Sequence, residues 1–198
     1  TSDNQLPTQM KRLLVIDGNG YLHRAYWATP RLTSKSGVHT NAIKGFVNIL
    51  LADIAKLKPT HVLVTFDRGG KPNWRTEIYP QYKKNRDKDK NDPKNKQHFE
   101  DMKIMHGQRH DLRKLLRAMG IRILQKKGCE ADDLMATIAK KYAEKDWTVI
   151  ISTNDKDMMQ ICSKQILIHR SDRKLYGPAE CRELFGVKPK QIVCYLSL

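Results

Sequence analysis

Five acidic residues are crowded into two short stretches of the chain. Glu130, Asp132 and Asp133 lie within four residues, and Asp155 and Asp157 follow a strongly apolar run. Carboxylates this close repel one another, so their crowding lowers stability unless a cation neutralises them. Hard divalent cations such as Mg²⁺ and Mn²⁺ prefer carboxylate oxygens as ligands. The pattern therefore predicts a divalent-metal site.

Two further acids end predicted buried strands. The continuously apolar run 13–16 ends at Asp17, and the largely apolar run 61–66 ends at Asp67. Apolar residues recur at helical spacing over 43–54, which predicts a βαβ unit with two parallel strands. Open α/β sheets bind ligands at the carboxyl ends of their strands. A single acid there is equally typical of an exposed turn, but two on parallel strands favour a metal or phosphate site.

Both acidic stretches are also predicted to follow strands. The runs 121–124 and 147–151 are apolar enough for a third and a fourth strand. A helix is predicted to open at Glu130, with Asp132 and Asp133 in its first turn. Acids at this position are also typical of helix capping, although one or two would suffice for that. The predicted fold class is α/β, with a mainly parallel central sheet and helices on both faces.

The other elements are predicted from apolar spacing and from turn residues. A helix from Gln108 to about Gly120 precedes the third strand, and a short helix with buried methionines follows the fourth. A peripheral hairpin over 166–176 and two helices complete the chain.

The charge balance indicates a polyanionic partner. The 198 residues include 37 Lys and Arg against 21 Asp and Glu, which gives a formal net charge of +16. Such an excess suits nucleic acid. A basic protein that is merely soluble is the alternative on charge alone.

Cysteine usage and hydropathy narrow the class of protein further. The four cysteines form no Cys-x-x-Cys pair, so we expect free thiols and an intracellular, reducing compartment. His106 and His110 have no thiols nearby, and surface histidines are favoured over a zinc site. No apolar run approaches the roughly 18 residues of a membrane span, so no membrane partner is expected.

A basic segment follows the second acid-ending strand. Large apolar residues are almost absent between Tyr82 and Phe99, so a mobile loop, or a helix that orders on binding, is predicted. An aromatic residue beside several cations suits base stacking and phosphate binding, whereas a solvated loop without a role is the alternative. The residues predicted to bind DNA are Tyr82, Lys83, Lys84, Arg86, Lys88 and Lys90.

Asn19 argues against one alternative. Phosphatases of the haloacid dehalogenase type also carry an acid after their first strand, but they need a second Asp two residues later. Asn19 occupies that place after Asp17, which weakens the phosphatase interpretation.

Taken together, the motifs resemble the 5′-nuclease family over about 13–198. This family comprises flap endonucleases, phage 5′-exonucleases and the N-terminal 5′→3′ exonuclease domain of bacterial family A DNA polymerases. Each motif is weak alone, but their order and spacing are specific. They are Val15-Ile16-Asp17-Gly18, Thr40-Asn41-Ala42-Ile43-x-Gly45-Phe46, Val64-Thr65-Phe66-Asp67, Tyr82-Lys83-x-x-Arg86, Gly128-x-Glu130-Ala131-Asp132-Asp133 and Ser152-Thr153-x-Asp155-Lys156-Asp157.

The resemblance implies a role for each matching residue. The first metal ion is implied to be held by Asp17, Asp67, Glu130 and Asp132. Asp133, Asp155 and Asp157 would complete the site and approach a second Mg²⁺ or Mn²⁺. Lys83 and Arg86 would lie over the scissile phosphate on a helical arch, with Tyr82 as its aromatic residue. Asp132, Asp155, Lys83 and Arg86 are thus the predicted catalytic residues.

The resemblance also implies a domain plan. A PIN-like core would cover 11–198, with the arch at about 74–106 and a flexible segment over 1–10. In the family, a further Asp pair and a helix-hairpin-helix DNA-binding motif follow the stretch that resembles 185–198. The sequence ends before both, so we expect an incomplete second metal site and weak duplex binding.

The implied function is structure-specific cleavage of phosphodiester bonds at DNA 5′ ends and flaps, in replication and repair. RNA primers on DNA are a possible substrate, and a monomer is expected. Two alternatives stay open. One is a DNA-structure-binding module without catalysis, and the other is a PIN-type ribonuclease, against which the motif from Tyr82 to Arg86 argues.

Overall fold

The computed structural model describes residues 11–68, 74–83 and 93–197, with 93 and 94 by their backbone only. The strands are β1 (Arg12–Asp17), β2 (His61–Thr65), β3 (Arg122–Leu124), β4 (Thr148–Ser152), β5 (Ile166–His169) and β6 (Leu175–Tyr176). The α-helices are α1 (Gly18–Ala28), α2 (Asn41–Leu57), α3 (Trp74–Ile78), α4 (Pro93–Ala118), α5 (Ala131–Ala143), α6 (Pro178–Phe185) and α7 (Ile192–Leu196). Short 3₁₀ helices cover Lys156–Ile161 and Pro189–Gln191.

The strands form one six-stranded sheet in the order β3-β2-β1-β4-β5-β6. β1 and β5 both pair with β4 in parallel, with Leu14 opposite Ile150 and Ile150 opposite Leu167. β6 pairs with β5 in the antiparallel sense, which confirms the predicted peripheral hairpin. The α/β class and the mainly parallel sheet are therefore confirmed.

The chain divides into two compact units. The first unit comprises Thr1–Ile16, Lys58–Leu63 and Met135–Leu198. Its core contains side chains of β1, β4 and β5 together with Met135 and Met159, and every one of these strands contributes fully buried residues. Continuous apolar runs in β1 and β4 are explained by this burial, since central parallel strands are covered on both faces.

The second unit comprises Asp17–Leu57 and Val64–Leu134. In its core, the fully buried ring of Phe46 lies 5.5 Å from the ring of Tyr21 and 6.4 Å from that of Phe66. The amide of Gln108 on α4 accepts a hydrogen bond of 2.9 Å from the backbone of Ala42 at the start of α2. Polar contacts therefore join α4 to its neighbours in this unit.

The prediction that a helix begins at Gln108 was wrong, because α4 already begins at Pro93. Its first half is largely polar in sequence, although Met105 near the middle of the helix is buried. Asp101 is buried and accepts hydrogen bonds from Tyr26, at 2.8 Å, and from Arg31, at 2.7 Å. Apolar spacing detects a helix only where its buried face is apolar. The predicted flexible segment 1–10 lies outside the described residues.

None of the helices in the described ranges combines the length and the apolar character needed to cross a membrane. Cys129, Cys162, Cys181 and Cys194 are free thiols, as the sequence predicted.

Candidate active site

Asp67 joins three parts of the second unit. It lies two residues after the end of β2, and its side chain is half-buried. One carboxylate oxygen, Oδ1, accepts the backbone N–H of Ala131 at 2.6 Å, at the first residue of α5. The other oxygen, Oδ2, accepts the side-chain amide of Asn19 at 2.6 Å, in the first turn of α1. The end of β2, the start of α1 and the acidic start of α5 therefore meet at this carboxylate.

Glu130 and Asp133 are each paired with a cation. Lys83 Nζ lies 2.9 Å from Glu130 Oε1. The guanidinium of Arg75 donates two hydrogen bonds to Asp133, of 2.7 and 2.8 Å, and lies 3.9 Å from Glu130. Tyr82 adds a hydrogen bond from its hydroxyl to Glu130, at 3.3 Å. Two cations and an aromatic hydroxyl thus converge on these two acids.

The ion pairs shift the pKa values of their members. The hydrogen bonds from Arg75 lower the pKa of Asp133, against an opposing effect of burial. The same hydrogen bonds raise the pKa of Arg75. Burial alone would lower the pKa of Lys83, but the hydrogen bond and the charge of Glu130 outweigh it, so that its pKa is raised. All three groups are therefore more firmly charged than in water.

Aromatic rings lie against both cations. The guanidinium of Arg75 lies 4.5 Å from the ring centroid of Trp74 and 5.8 Å from that of Tyr82, and Lys83 Nζ lies 5.1 Å from the Tyr82 ring. Lys83 also has a φ of 61°, which places a non-glycine residue in the left-handed region. Such backbone strain persists where surrounding contacts hold it, and it clusters at functional sites. The ion pair with Glu130 is one such contact.

The predicted basic segment is described only in part. Tyr82 and Lys83 contact the acids, whereas Lys84, Arg86, Lys88 and Lys90 lie outside the described residues. Arg75 was missed by the sequence interpretation. The only local signal for Arg75 was its place beside Trp74, ahead of the basic segment. In a chain of net charge +16, this signal does not distinguish one cation from the others.

Asp17 and Asp132 occupy the ends of their predicted elements. Asp17 is the N-cap of α1, and its Oδ1 accepts the backbone N–H of Gly20 at 2.8 Å. A Cβ atom on Gly20 would clash with the Asp17 carboxylate, so a larger residue here would displace that side chain. Asp132 is half-buried in the first turn of α5. Glu130 lies one residue before this helix, which begins at Ala131.

In the first unit, Asp155 and Asp157 lie three and five residues after the end of β4, in the turn where the sequence predicted them. Asp155 is the N-cap of the 3₁₀ helix Lys156–Ile161, and its Oδ1 accepts the N–H of Asp157 at 2.9 Å. The N–H of Asp155 donates to the hydroxyl of Thr153 at 3.2 Å. These contacts fix the turn that carries both acids.

The chemistry of the acids in the second unit fits a hard cation. Their donors are carboxylate oxygens, and positively charged side chains already lie within 2.9 Å of Glu130 and Asp133. Over the part of the chain that the structure describes, however, three or more His, Cys, Asp or Glu side chains do not converge as metal ligands. Arg75 and Lys83 take up the space and charge in front of these two acids. The predicted ligand set therefore stays a prediction.

A mainly parallel α/β sheet, together with basic and aromatic side chains paired with the acids Glu130 and Asp133, fits the 5′-nuclease class. The chain belongs to the family described as 5′-3′ exonuclease, N-terminal resolvase-like domain, which it matches over residues 12–186. The resemblance inferred from the motifs is thus confirmed.

Sequence similarity to two curated relatives supports this family assignment. A 5′-3′ exonuclease of Aquifex aeolicus is 35% identical over 190 residues, which are 96% of this chain and 61% of that protein. DNA polymerase I of Bacillus subtilis is 35% identical over 191 residues, which are 94% of this chain and 20% of the polymerase. The chain therefore spans 61% of the first relative and 20% of the second.

A solved structure shares the fold. The bacteriophage T5 D15 flap endonuclease, in a complex with DNA and metal ions, superposes with a TM-score of 0.68 at 19% identity. The superposition covers 92% of this chain and 64% of the phage protein.

Proposed function

We propose that this chain is the core of a divalent-metal-dependent 5′-nuclease that hydrolyses phosphodiester bonds at DNA 5′ ends and flaps. The contact of Arg75 and Lys83 with the acids Asp133 and Glu130 supports it most directly. It combines cations suited to phosphate oxygens with carboxylates suited to a metal ion. Phosphodiester hydrolysis uses both, because negative charge on the phosphate oxygens must be stabilised in the transition state.

In this proposal, the acids of the second unit hold Mg²⁺ or Mn²⁺. They are Asp17, Asp67, Glu130, Asp132 and Asp133. When bound, such an ion supplies Lewis acidity toward the phosphodiester oxygens. Asp155 and Asp157 remain proposed ligands on the family resemblance, and two ions are proposed for the complete protein.

The basic segment is proposed to bind the substrate backbone. Lys83 and Arg75 would exchange their contacts with the acids for contacts with a phosphate, where guanidinium binds in a bidentate manner. Arg86 would add a further cation, as the resemblance implies. Tyr82 offers a ring on which an unpaired base can stack.

The proposed partner is DNA with 5′ ends or flaps, including RNA primers annealed to DNA. The net charge of +16 and the DNA complex of the T5 flap endonuclease support it. The free thiols support a reducing, intracellular location, and we propose a monomer.

A second candidate is a DNA-structure-binding module without catalysis. It is favoured by one observation, namely that Glu130 and Asp133 are paired with protein cations. Such a module would bind a flap in a salt-dependent manner and leave it uncut.

Cleavage assays with a labelled 5′-flap DNA distinguish the two candidates. For a protein of its relatives' full length that carries this chain, we expect cleavage with Mg²⁺ or Mn²⁺, none in excess EDTA, and none by Asp132→Ala. Asp111→Ala is the matched control, because Asp111 is an exposed acid on α4 of the same unit. Cleavage that persists in EDTA would refute the proposal, and metal-independent binding without cleavage would support the second candidate. Faster cleavage of single-stranded RNA than of flap DNA would indicate a PIN-type ribonuclease.

A further inference from the structure

The backbone carbonyl of Asp67 receives hydrogen bonds from two side chains. Arg109 on α4 donates from Nη2. Gln125, which follows β3, donates from its amide nitrogen at 3.3 Å. The amide oxygen of Gln125 accepts a hydrogen bond of 3.1 Å from Arg113, which directs the amide nitrogen toward Asp67. Both donors are therefore aimed at a single carbonyl oxygen.

This carbonyl oxygen lies just outside the sheet. Asp67 follows the end of β2, and the preceding N–H, that of Phe66, still bonds to Leu124 at 3.1 Å. A backbone carbonyl near the core needs a partner. Because the regular strand pairing has ended, the side chains of Arg109 and Gln125 fill this role.

Arg109 is held at this position against an electrostatic cost. Its guanidinium lies 5.6 Å from the ring centroid of Phe66, which is fully buried. Burial lowers the pKa of Arg109, the charge of Arg113 lowers it further, and the charge of Asp67 opposes both. An arginine nevertheless stays protonated. Arg109 therefore makes a charged hydrogen bond to the Asp67 carbonyl beside a fully buried ring.

We infer that Arg109 and Gln125 are positioning residues that fix Asp67 for metal binding. They hold the carbonyl side of Asp67, while Ala131 and Asn19 hold its carboxylate. With both ends held, the carboxylate keeps one orientation. The inference rests on the proposed function, in which Asp67 is a metal ligand.

Two substitutions that conserve charge test it. Arg109→Lys keeps the charge but loses the planar fork of donors. Gln125→Met removes the second donor and leaves the contact between the Arg109 guanidinium and the Phe66 ring unchanged. It provides the test if Arg109→Lys folds poorly. Arg117→Lys is the matched control, because Arg117 is an exposed arginine of the same helix.

The first measurement is amide hydrogen exchange of Ala131 without metal, since its N–H donates to Asp67. We expect exchange about tenfold faster in Arg109→Lys and Gln125→Met, and unchanged in Arg117→Lys.

The second measurement is the affinity for Mn²⁺, from the paramagnetic resonance signal of the free ion. We expect about tenfold weaker binding in both variants. A misplaced catalytic group loses up to about 100-fold in rate, so kcat on flap DNA should fall while KM for DNA stays constant.

Unchanged exchange at Ala131 would overturn the inference. So would faster exchange with unchanged affinity for Mn²⁺, because the contacts would then be structural only. If the wild-type chain bound no Mn²⁺, the proposed function would fail instead. The exchange rates would then decide by themselves whether Arg109 and Gln125 position Asp67.

Discussion

Replacing Arg75 with methionine should weaken the fold and strengthen metal binding at the same time. Arg75 makes two hydrogen bonds to Asp133, of 2.7 and 2.8 Å, and the side chains of both residues are 25% exposed. Methionine keeps an apolar stem beside Trp74 and removes the charge and all the donors. Asp133 then keeps its place at the start of α5 without its cation.

The size of the stability loss follows from the partial burial of this pair. Hydrogen bonds to charged groups contribute about 1.5–3 kcal/mol, whereas exposed ion pairs contribute about 0–1 kcal/mol. Because both side chains are one-quarter exposed, Arg75→Met should lower the free energy of unfolding at pH 7 by about 1–2 kcal/mol.

The loss should depend on pH in one direction. Hydrogen bonds from Arg75 hold the pKa of Asp133 below its ordinary value. A carboxyl group with a lowered folded-state pKa adds stability above its unfolded pKa of about 3.9, and this contribution disappears as the pH falls through the folded-state pKa. The raised pKa of Arg75 has no effect in this range, because arginine titrates only above about pH 12. Wild type and variant should therefore differ at pH 7 and converge below about pH 4.

Metal affinity should change in the opposite direction. Arg75 competes with any divalent ion for Asp133, so its removal should strengthen Mn²⁺ binding about tenfold, or by about 1.4 kcal/mol. Urea unfolding at several pH values and the resonance signal of free Mn²⁺ measure the two effects. Arg31→Met is the control, because it removes the same charge and an ion pair with Asp101 instead of Asp133. Weaker Mn²⁺ binding by Arg75→Met would refute the reasoning, since Arg75 would then support the site.

Two further perturbations probe the same acids. Trp74 donates a hydrogen bond of 3.4 Å to Asp133 and lies against Arg75. Its fluorescence should therefore change as Mg²⁺ displaces the guanidinium of Arg75. An unchanged spectrum at saturating Mg²⁺ would contradict this displacement. Gly20→Ala should displace the Asp17 carboxylate and lower the free energy of unfolding by about 1 kcal/mol through loss of the cap, as measured by urea unfolding. Gly107→Ala on α4 is its control, because a Cβ there meets no atom within 4 Å.

The parts of the fold that were predictable are those in which local sequence decides the structure. The apolar runs 13–16 and 147–151 became β1 and β4, paired in parallel in the sheet. Asp17 is the last residue of β1 and Asp155 lies three residues after the end of β4, because a strand of five or six residues leaves little freedom for the residues that follow it. For the same reason, the acidic start of α5 was placed to within one residue.

The parts that were not predictable depend on contacts between distant residues. Arg75 and Asp133 are 58 positions apart, and Arg109 and Asp67 are 42 positions apart. No local spacing selects one arginine among 37 basic residues for such a contact. The start of α4 was missed for a related reason, since its buried residue Asp101 is polar and is satisfied by Tyr26 across the unit.

Helix capping and cation binding at the start of α5 reinforce each other. Asp133 Oδ2 accepts the N–H of Glu130 at 3.1 Å, so it caps the helix as the simpler interpretation of the sequence required. That backbone hydrogen bond also lowers the pKa of Asp133, after the larger effect of Arg75. Because the cap does not depend on Arg75, Asp133 should stay ionised at pH 7 in Arg75→Met. An ionised carboxylate that has lost its guanidinium is a better ligand for a divalent ion, which is why affinity should rise as stability falls.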